Sequence, residues 1–228
     1  MIRPVSTPVT PFVAWLLAPV FLLLAAGAPA AAQPAAAALP PAHQLVEQAT
    51  REVLDRIVRE RPTFKKNPDH LYVIVEENLV PYVDFDRIAR RVMAKHFQRA
   101  TPEQRLRFVQ VFKTSLINAY SSALAEYDDQ KFSVLPPGKG DVEAARATVK
   151  MEVTMRDGTV YPLSYAMYLN DAGAWKLENL ILNGINLGLT YRNNFAEMAQ
   201  QYGGDIDRVI GNWSAKIAKD EAAKKKAD

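Results

Sequence analysis

The 228 residues contain no cysteine, only three histidines and only ten glycines. Without cysteine there is no disulfide framework, no thiol nucleophile and no attachment point for a lipoprotein anchor. A chain so lacking must be held by its own apolar core. His43, His70 and His96 all fall on segments of helical periodicity, and no HxH or HExxH spacing relates them, so packing or surface roles explain them better than metal ligation. GxSxG, Walker A and GxGxxG are absent as well. The adjacent acids Asp84 with Asp86, Glu76 with Glu77, and Asp128 with Asp129 are explained more simply as helix caps and solvated faces than as catalytic pairs. Nothing in the sequence asks for an enzyme, a cofactor or a metal.

The amino terminus points to export. Arg3 gives a short positive region, Phe12 to Ala26 is apolar and uncharged, and Ala30 and Ala32 stand at the spacing that signal peptidase prefers. The expected signal peptide is 1–32, with cleavage after Ala32 or, alternatively, after Ala30. A transmembrane anchor is the competing reading, but the run is short for a span and Pro19 interrupts it. Removing Arg3 from the 28 basic residues leaves 27 against 25 acids, a net charge of +2, too balanced to argue for nucleic acid. Residues 33–42, QPAAAALPPA, read as a flexible leader, 43–218 as one domain, and 219–228, KDEAAKKKAD, as a disordered basic tail. A monomer is expected.

Helices fill the first half. Val46, Ala49, Val53 and Ile57 trace an apolar stripe between His43 and Arg59. Pro68 opens a second helix, with Leu71, Val75 and Leu79 on its buried side, and Pro81 ends it. Asp84 caps a third that carries Ile88, Val92 and Met93. In TPEQ, Thr101, Pro102 and Gln104 form a capping box, opening a helix that runs to about Glu126 with Phe108, Val109, Phe112, Leu116, Tyr120 and Leu124 along one face.

After Tyr127 the period switches to two. Phe132-Ser133-Val134 makes a short strand. ATVKMEVTM alternates Ala147, Val149, Met151, Val153 and Met155 against polar residues, Asp157-Gly158 turns, and Tyr161, Leu163, Tyr165, Met167 and Leu169 return on one side. In WKLENLIL, alternation places Trp175, Leu177, Asn179 and Ile181 together, with Lys176 and Glu178 opposite. Asn183-Gly184 then breaks the run, and Leu187, Tyr191, Phe195 and Met198 resume at helical spacing. The fold class is α+β: an antiparallel meander of about four strands wrapped by roughly six helices. Arg87, Arg91 and Lys95 lie four apart and make a cationic stripe, with Arg192 as a second basic position. They read either as solvated surface or as a docking surface for an acidic partner or anionic headgroups. The apolar sheet face is either a filled core or a cavity wall, which periodicity does not distinguish.

Three segments in order, YVDFDRIARRVM, ATPEQRLRFVQVFKTSLINAYSSALAEY and VYPLSYAMYLNDAGAWKLENLILNGINLGLTYRNNF, resemble the MlaC-type, or toluene-tolerance, family of periplasmic phospholipid-binding proteins across about residues 45–215. The family commonly has an acid at the positions of Asn179 and Asn183 and a serine at that of Asn186. The resemblance implies a soluble carrier rather than an enzyme, with phospholipid as cargo and no cofactor. Its implied partners are an MlaFEDB-like inner-membrane ABC transporter complex and an MlaA-like outer-membrane lipoprotein–porin complex, and its implied role is to maintain outer-membrane lipid asymmetry. It also implies a pocket for acyl tails between sheet and helices, with an expected lining of Leu71, Val75, Phe112, Leu116, Val149, Met151, Val153, Tyr165, Met167, Leu177, Leu187 and Tyr191. Two rivals stand beside it: an enzyme with a cone-shaped fold like that of ketosteroid isomerase, and a periplasmic protein-binding module. The enzyme would need an acid or histidine inside the cone, and the apolar sheet positions offer only Asn179 and tyrosines.

Overall fold

The computed structural model describes residues 39–128 and 130–224. The expected signal at 1–32, residues 33–38 of the leader and the last four residues of the tail lie outside them. Helix α1 spans Pro41–Lys66. It begins inside the segment read as leader, because Ala42 is buried beneath it, and it continues seven residues past Arg59. Pro62 removes a helical hydrogen bond there, but Phe64 is buried in the same cluster as Val53 and Ile57, and that burial offsets the loss. Helix α2 (Asp69–Asn78) is followed by a 3-10 turn at Val80–Tyr82. Helix α3 (Phe85–Met93) is capped by Asp84, whose Oδ1 accepts from the Arg87 amide at 2.8 Å. Helix α4 (Pro102–Ala125) starts on the expected capping box. Thr101 Oγ1 accepts from the Gln104 amide at 3.2 Å, while Gln104 Oε1 accepts from the Thr101 amide at 2.9 Å.

Strands β1 (Lys131–Val134), β2 (Arg146–Thr154), β3 (Val160–Leu169), β4 (Trp175–Leu182) and β5 (Ile185–Asn186) form one antiparallel sheet in chain order. The fifth strand exceeds the sequence expectation of about four. Asn183 and Gly184 both have positive φ, 47° and 79°, the pair of left-handed residues that a two-residue hairpin requires. What reads as a break in the sequence is therefore a turn. Helices α5 (Leu187–Gln201) and α6 (Ile206–Lys224) follow, and α6 runs six residues past the expected domain end at 218.

Alternation fails in β4. Met167 pairs with Leu177 and Ala166 with Asn179, which leaves Glu178 as an extra, bulged residue. Before the bulge, Leu177 shares a face with Met167. Beyond it, Leu180 and Leu182 face the same way, beside Tyr165 and Leu163. Asn179 and Ile181 therefore join the outer face with Ala166 and Ser164, correcting the uniform alternation expected for WKLENLIL. Glu178 is corrected too. It is not solvated like a neighbouring polar strand residue, for its side chain is only 5% exposed, and it is gripped by Arg87 at 2.7 Å, Arg146 at 2.9 Å and Arg91 at 3.1 Å.

The displaced Asn179 acquires a second task. Its Oδ1 accepts from the Gly188 amide at 3.1 Å and its Nδ2 donates to Asn186 Oδ1 at 3.1 Å, while that same Oδ1 caps α5 through the Leu189 amide at 3.0 Å. Gly188 permits the approach, since a Cβ there would stand 2.5 Å from Asn179 Oδ1.

The core is divided. Residues of α3, α4, α5 and α6 pack around Phe108, Phe112, Phe195 and Trp213; α1 and α2 enclose Ile57, Phe64 and Ile74; the start of α1 covers Ala147, Val149 and Met167 on the sheet. In the first cluster Phe108 meets Trp213 and Phe195 edge-on at 5.1 and 5.0 Å, and Phe112 meets Tyr191 at 5.6 Å. Such contacts contribute about 0.5–1.5 kcal/mol each beyond their buried area.

Glu178→Gln should expose how much the bulge depends on charge. It leaves three clustered guanidiniums without their shared carboxylate. The expected loss is about 2–3 kcal/mol, less than for a fully buried pair because the arginines are half in water. Urea denaturation measures it, and an unchanged midpoint would show that backbone pairing alone sets the bulge.

Candidate functional site

Helix α4 packs on α6, α3 and α2, whereas the helices that approach the strands most closely are α1, α3 and α5. The buried residues form three separate clusters, two among the helices and one against the sheet under α1. Leu116, Tyr120 and Leu124 on α4 and Leu163, Tyr165, Leu180 and Leu182 on the sheet are each only partly covered. Tyr165 is the most informative of them. It sits deep enough that burial pushes its phenol well above the ordinary tyrosine value, yet it keeps accessible surface. Its hydroxyl has no hydrogen-bond partner among the described residues and is not sealed by packing. Tyr165 lies at the margin of the cluster covered by the start of α1. Nearby in the helical layer, the hydroxyls of Tyr120 and Tyr191 meet at 2.6 Å.

The expected lining residues fall into distinct environments. Leu71 and Val75 are buried on α2, Leu71 within the α1–α2 cluster. Phe112, Leu187 and Tyr191 are buried in the aromatic cluster, with Leu116 packed on its margin. Val149, Met151 and Met167 are buried on the inner sheet face, and Val153, Tyr165 and Leu177 share that face with partial cover. Cross-strand pairing brings Leu163, Leu180 and Leu182 to the same wall. Sequence reading missed Leu180 and Leu182 because a one-residue slip inverts every later side chain, and its only local signal is a glutamate in an otherwise apolar strand.

The cationic positions also separate. Arg91, Lys95 and Arg192 line one cleft of about 540 Å³, together with Glu178, Asn179 and Asn186. Arg87 lies over the Tyr168 ring at 4.1 Å, and Tyr168 donates to Asp84. That hydrogen bond, first, and then burial raise the Tyr168 phenol above its usual value. Arg87 and Arg91 both serve Glu178, so they are not a free stripe, whereas Lys95 and Arg192 have no acidic partner among the described residues.

No set of acids and histidines among the described residues could hold a metal. His43 is fully buried with neither ring nitrogen bonded, and burial lowers its pKa against the opposing pull of Asp141, so the neutral ring is favoured. His70 bonds Glu60 at 2.7 Å. His96 stacks near Phe195, with burial and then Lys95 and Arg99 lowering its pKa. His70 thus pairs with an acid and His96 with a ring, while His43 is buried on the stretch of α1 that covers the sheet. The inner sheet face is lined by aliphatic side chains and tyrosines.

Known proteins share this architecture. The family model described as MlaC protein matches residues 47–215. The toluene tolerance protein ttg2D of Pseudomonas putida is 40% identical over 187 residues, covering 82% of this chain and 84% of the relative. The intermembrane phospholipid transport system binding protein MlaC of Haemophilus influenzae is 24% identical over 73% of this chain and 77% of its own. A solved phospholipid-binding protein from Ralstonia solanacearum, in complex with a phospholipid, superposes with a TM-score of 0.70 at 26% identity, covering 79% of this chain and 98% of that one. No described helix is long and apolar enough to cross a membrane. With matching order of elements, a family match over most of its length and a relative at 40% identity, this chain belongs to the MlaC family.

Proposed function

We propose that this protein is a periplasmic phospholipid carrier, holding acyl tails between the inner face of the sheet and α4. The observation that carries this reading is the inner sheet face of Leu163, Tyr165, Leu180 and Leu182, apolar and only partly covered. The phospholipid in the Ralstonia relative supports it. So does the energetics of the cargo. Burying a methylene is worth about 0.8 kcal/mol, so two tails of roughly 28 methylenes together avoid about 20 kcal/mol of exposure to water. Free lipid is therefore scarce in an aqueous compartment, and transfer between membranes requires a container. An apolar wall of Val, Leu and Met would tolerate tails of different length, and headgroup selectivity in this reading is weak.

Export by the signal at 1–32 is part of the same proposal. Mass spectrometry of periplasmic extract should find the mature chain beginning at Gln33, and Met1 retained on the mature protein would exclude cleavage.

The pocket is tested by a pair of substitutions. Leu116→Trp enters the space beneath α4 and should lower co-purified phospholipid while costing the fold little. Val149→Trp enters the packed patch under α1 and should destabilise by about 1–3 kcal/mol. Lipid extraction and thermal melting on the same preparations decide. A Leu116→Trp protein that unfolds like Val149→Trp, from a wild type without lipid, defeats the carrier reading.

Docking to the inner-membrane transporter complex and to the outer-membrane lipoprotein–porin complex is assigned in this proposal to the cleft of Arg91, Lys95 and Arg192. Reversing Lys95 and Arg192 to glutamate, which spares the Glu178 network, should weaken binding to those complexes at low salt and leave bound lipid unchanged. Binding unchanged by the reversal would return these residues to ordinary solvated surface.

A further inference from the structure

On the other side of α3 lies a second, larger groove of about 700 Å³, running between α3 and α4. Arg87 and Arg91, which hold Glu178, reach its wall from α3, and Arg90 and Arg105 add two further cations. The Arg90 and Arg105 guanidiniums both stack on Phe97, with their carbons 5.1 and 4.2 Å from the ring centroid. Arg105 is fixed further, because its Nε donates to the Phe97 carbonyl at 2.9 Å. Neither arginine has an ion-pair partner among the described residues. Two guanidiniums held at one ring repel each other, and among the described residues no carboxylate lies within ion-pair distance of either.

The apolar side of the groove is an exposed Leu106 beside Val109, which is partly buried against the aromatic cluster. Leu106 is 64% exposed beside Arg105, and Val109 lies one turn further along α4. At the groove's edge Ala94 holds a φ of 48° and ψ of −121°, a conformation that costs a residue with a Cβ about 1–3 kcal/mol and gathers at binding sites. Of the acids on the wall, Asp84 is engaged by the Arg87 amide and the Tyr168 hydroxyl, and Asp86 is exposed near the start of α3. An incoming anion is thus directed away from that end and towards Arg90 and Arg105.

We propose that this groove binds an acidic polypeptide segment that carries apolar side chains among its carboxylates. Carboxylates would take the free edges of the two stacked guanidiniums as bidentate pairs, and a leucine- or phenylalanine-sized side chain would cover Leu106 and Val109. A concave groove admits a helix or an extended strand. A bilayer surface is flat and would meet only its rim, and a free phosphate would leave the apolar half uncovered. The proposal is independent of what fills the space beneath α4.

The test uses the full mature chain and a fluorescein-labelled ten-residue peptide of alternating glutamate and leucine. A glutamine-for-glutamate peptide and vesicles of phosphatidylglycerol run in parallel. The acidic peptide should bind at low salt, and the glutamine version should bind about tenfold more weakly or worse. Arg90→Glu with Arg105→Glu should abolish binding, and Arg90→Lys with Arg105→Lys should restore it only in part, since an ammonium lacks the planar fork. Leu106→Ser changes an exposed residue that the fold does not need, so it reads the apolar contact even where the double reversal disturbs folding, and it should weaken binding severalfold. Co-purified lipid should be the same in all variants. Failure of the acidic peptide to bind, or binding indifferent to Leu106→Ser and the lysine pair, overturns the proposal. Vesicle binding that needs Arg90 and Arg105 in the absence of peptide binding overturns it in favour of a lipid surface. Loss of co-purified lipid from the wild type would count against the carrier reading alone.

Discussion

At Glu178 the pairing of β3 and β4 slips by one residue, and the surrounding molecule is arranged around that slip. β4 serves two layers: its first half lies near the start of α1, and its second half meets the layer that contains α5. Unbroken alternation would turn Leu180 and Leu182 to the outside and bring Asn179 inward, placing an amide in an apolar wall where its hydrogen bonds would be hard to satisfy. The bulge prevents this, but it leaves a carboxylate in a buried position. Arg87, Arg91 and Arg146 meet it from α3 and β2, so one charge cluster ties a helix to two strands. Asn179, now outside, becomes part of the cap of α5.

Packing in the domain is concentrated in an aromatic cluster among four helices and in two smaller aliphatic clusters. Helix α4 is anchored on α6, α3 and α2. In the proposed carrier, partly covered residues such as Leu116, Leu163 and Tyr165 would line the tails, and those clusters would offset the cost of leaving that volume unfilled by protein.

Electrostatics on the surface follows from the same cluster. Glu178 absorbs part of the charge of α3 and fixes the directions of Arg87 and Arg91, so the helix forms a rigid ridge between the two clefts. The remaining cations on its flanks, Lys95 and Arg192 on one side and Arg90 and Arg105 on the other, make no ion pair among the described residues. A net charge near zero is thus compatible with a strongly local positive field.

The sequence by itself determined every helix, the long meander and their order. Its signals are local: Asp84 and the Thr101–Gln104 box satisfy the first amides of their helices, and Asp157-Gly158 supplies the left-handed turn between β2 and β3. Leu187, Tyr191, Phe195 and Met198 are all buried, as their helical spacing implies. The resemblance carried by the ordered segments reached the family. Helix ends were less legible, since burial of Ala42 and Phe64 extends α1 past a leader-like start and through Pro62. Tertiary structure alone decided which residues of β4 face inward, because a bulge is set by partners distant in the chain, here the three arginines drawn to Glu178. It also decided how the apolar sheet face is covered. Val149 and Met167 pack under the start of α1 while Leu163 and Tyr165 stay partly open, a difference absent from periodicity, which records only which face avoids water.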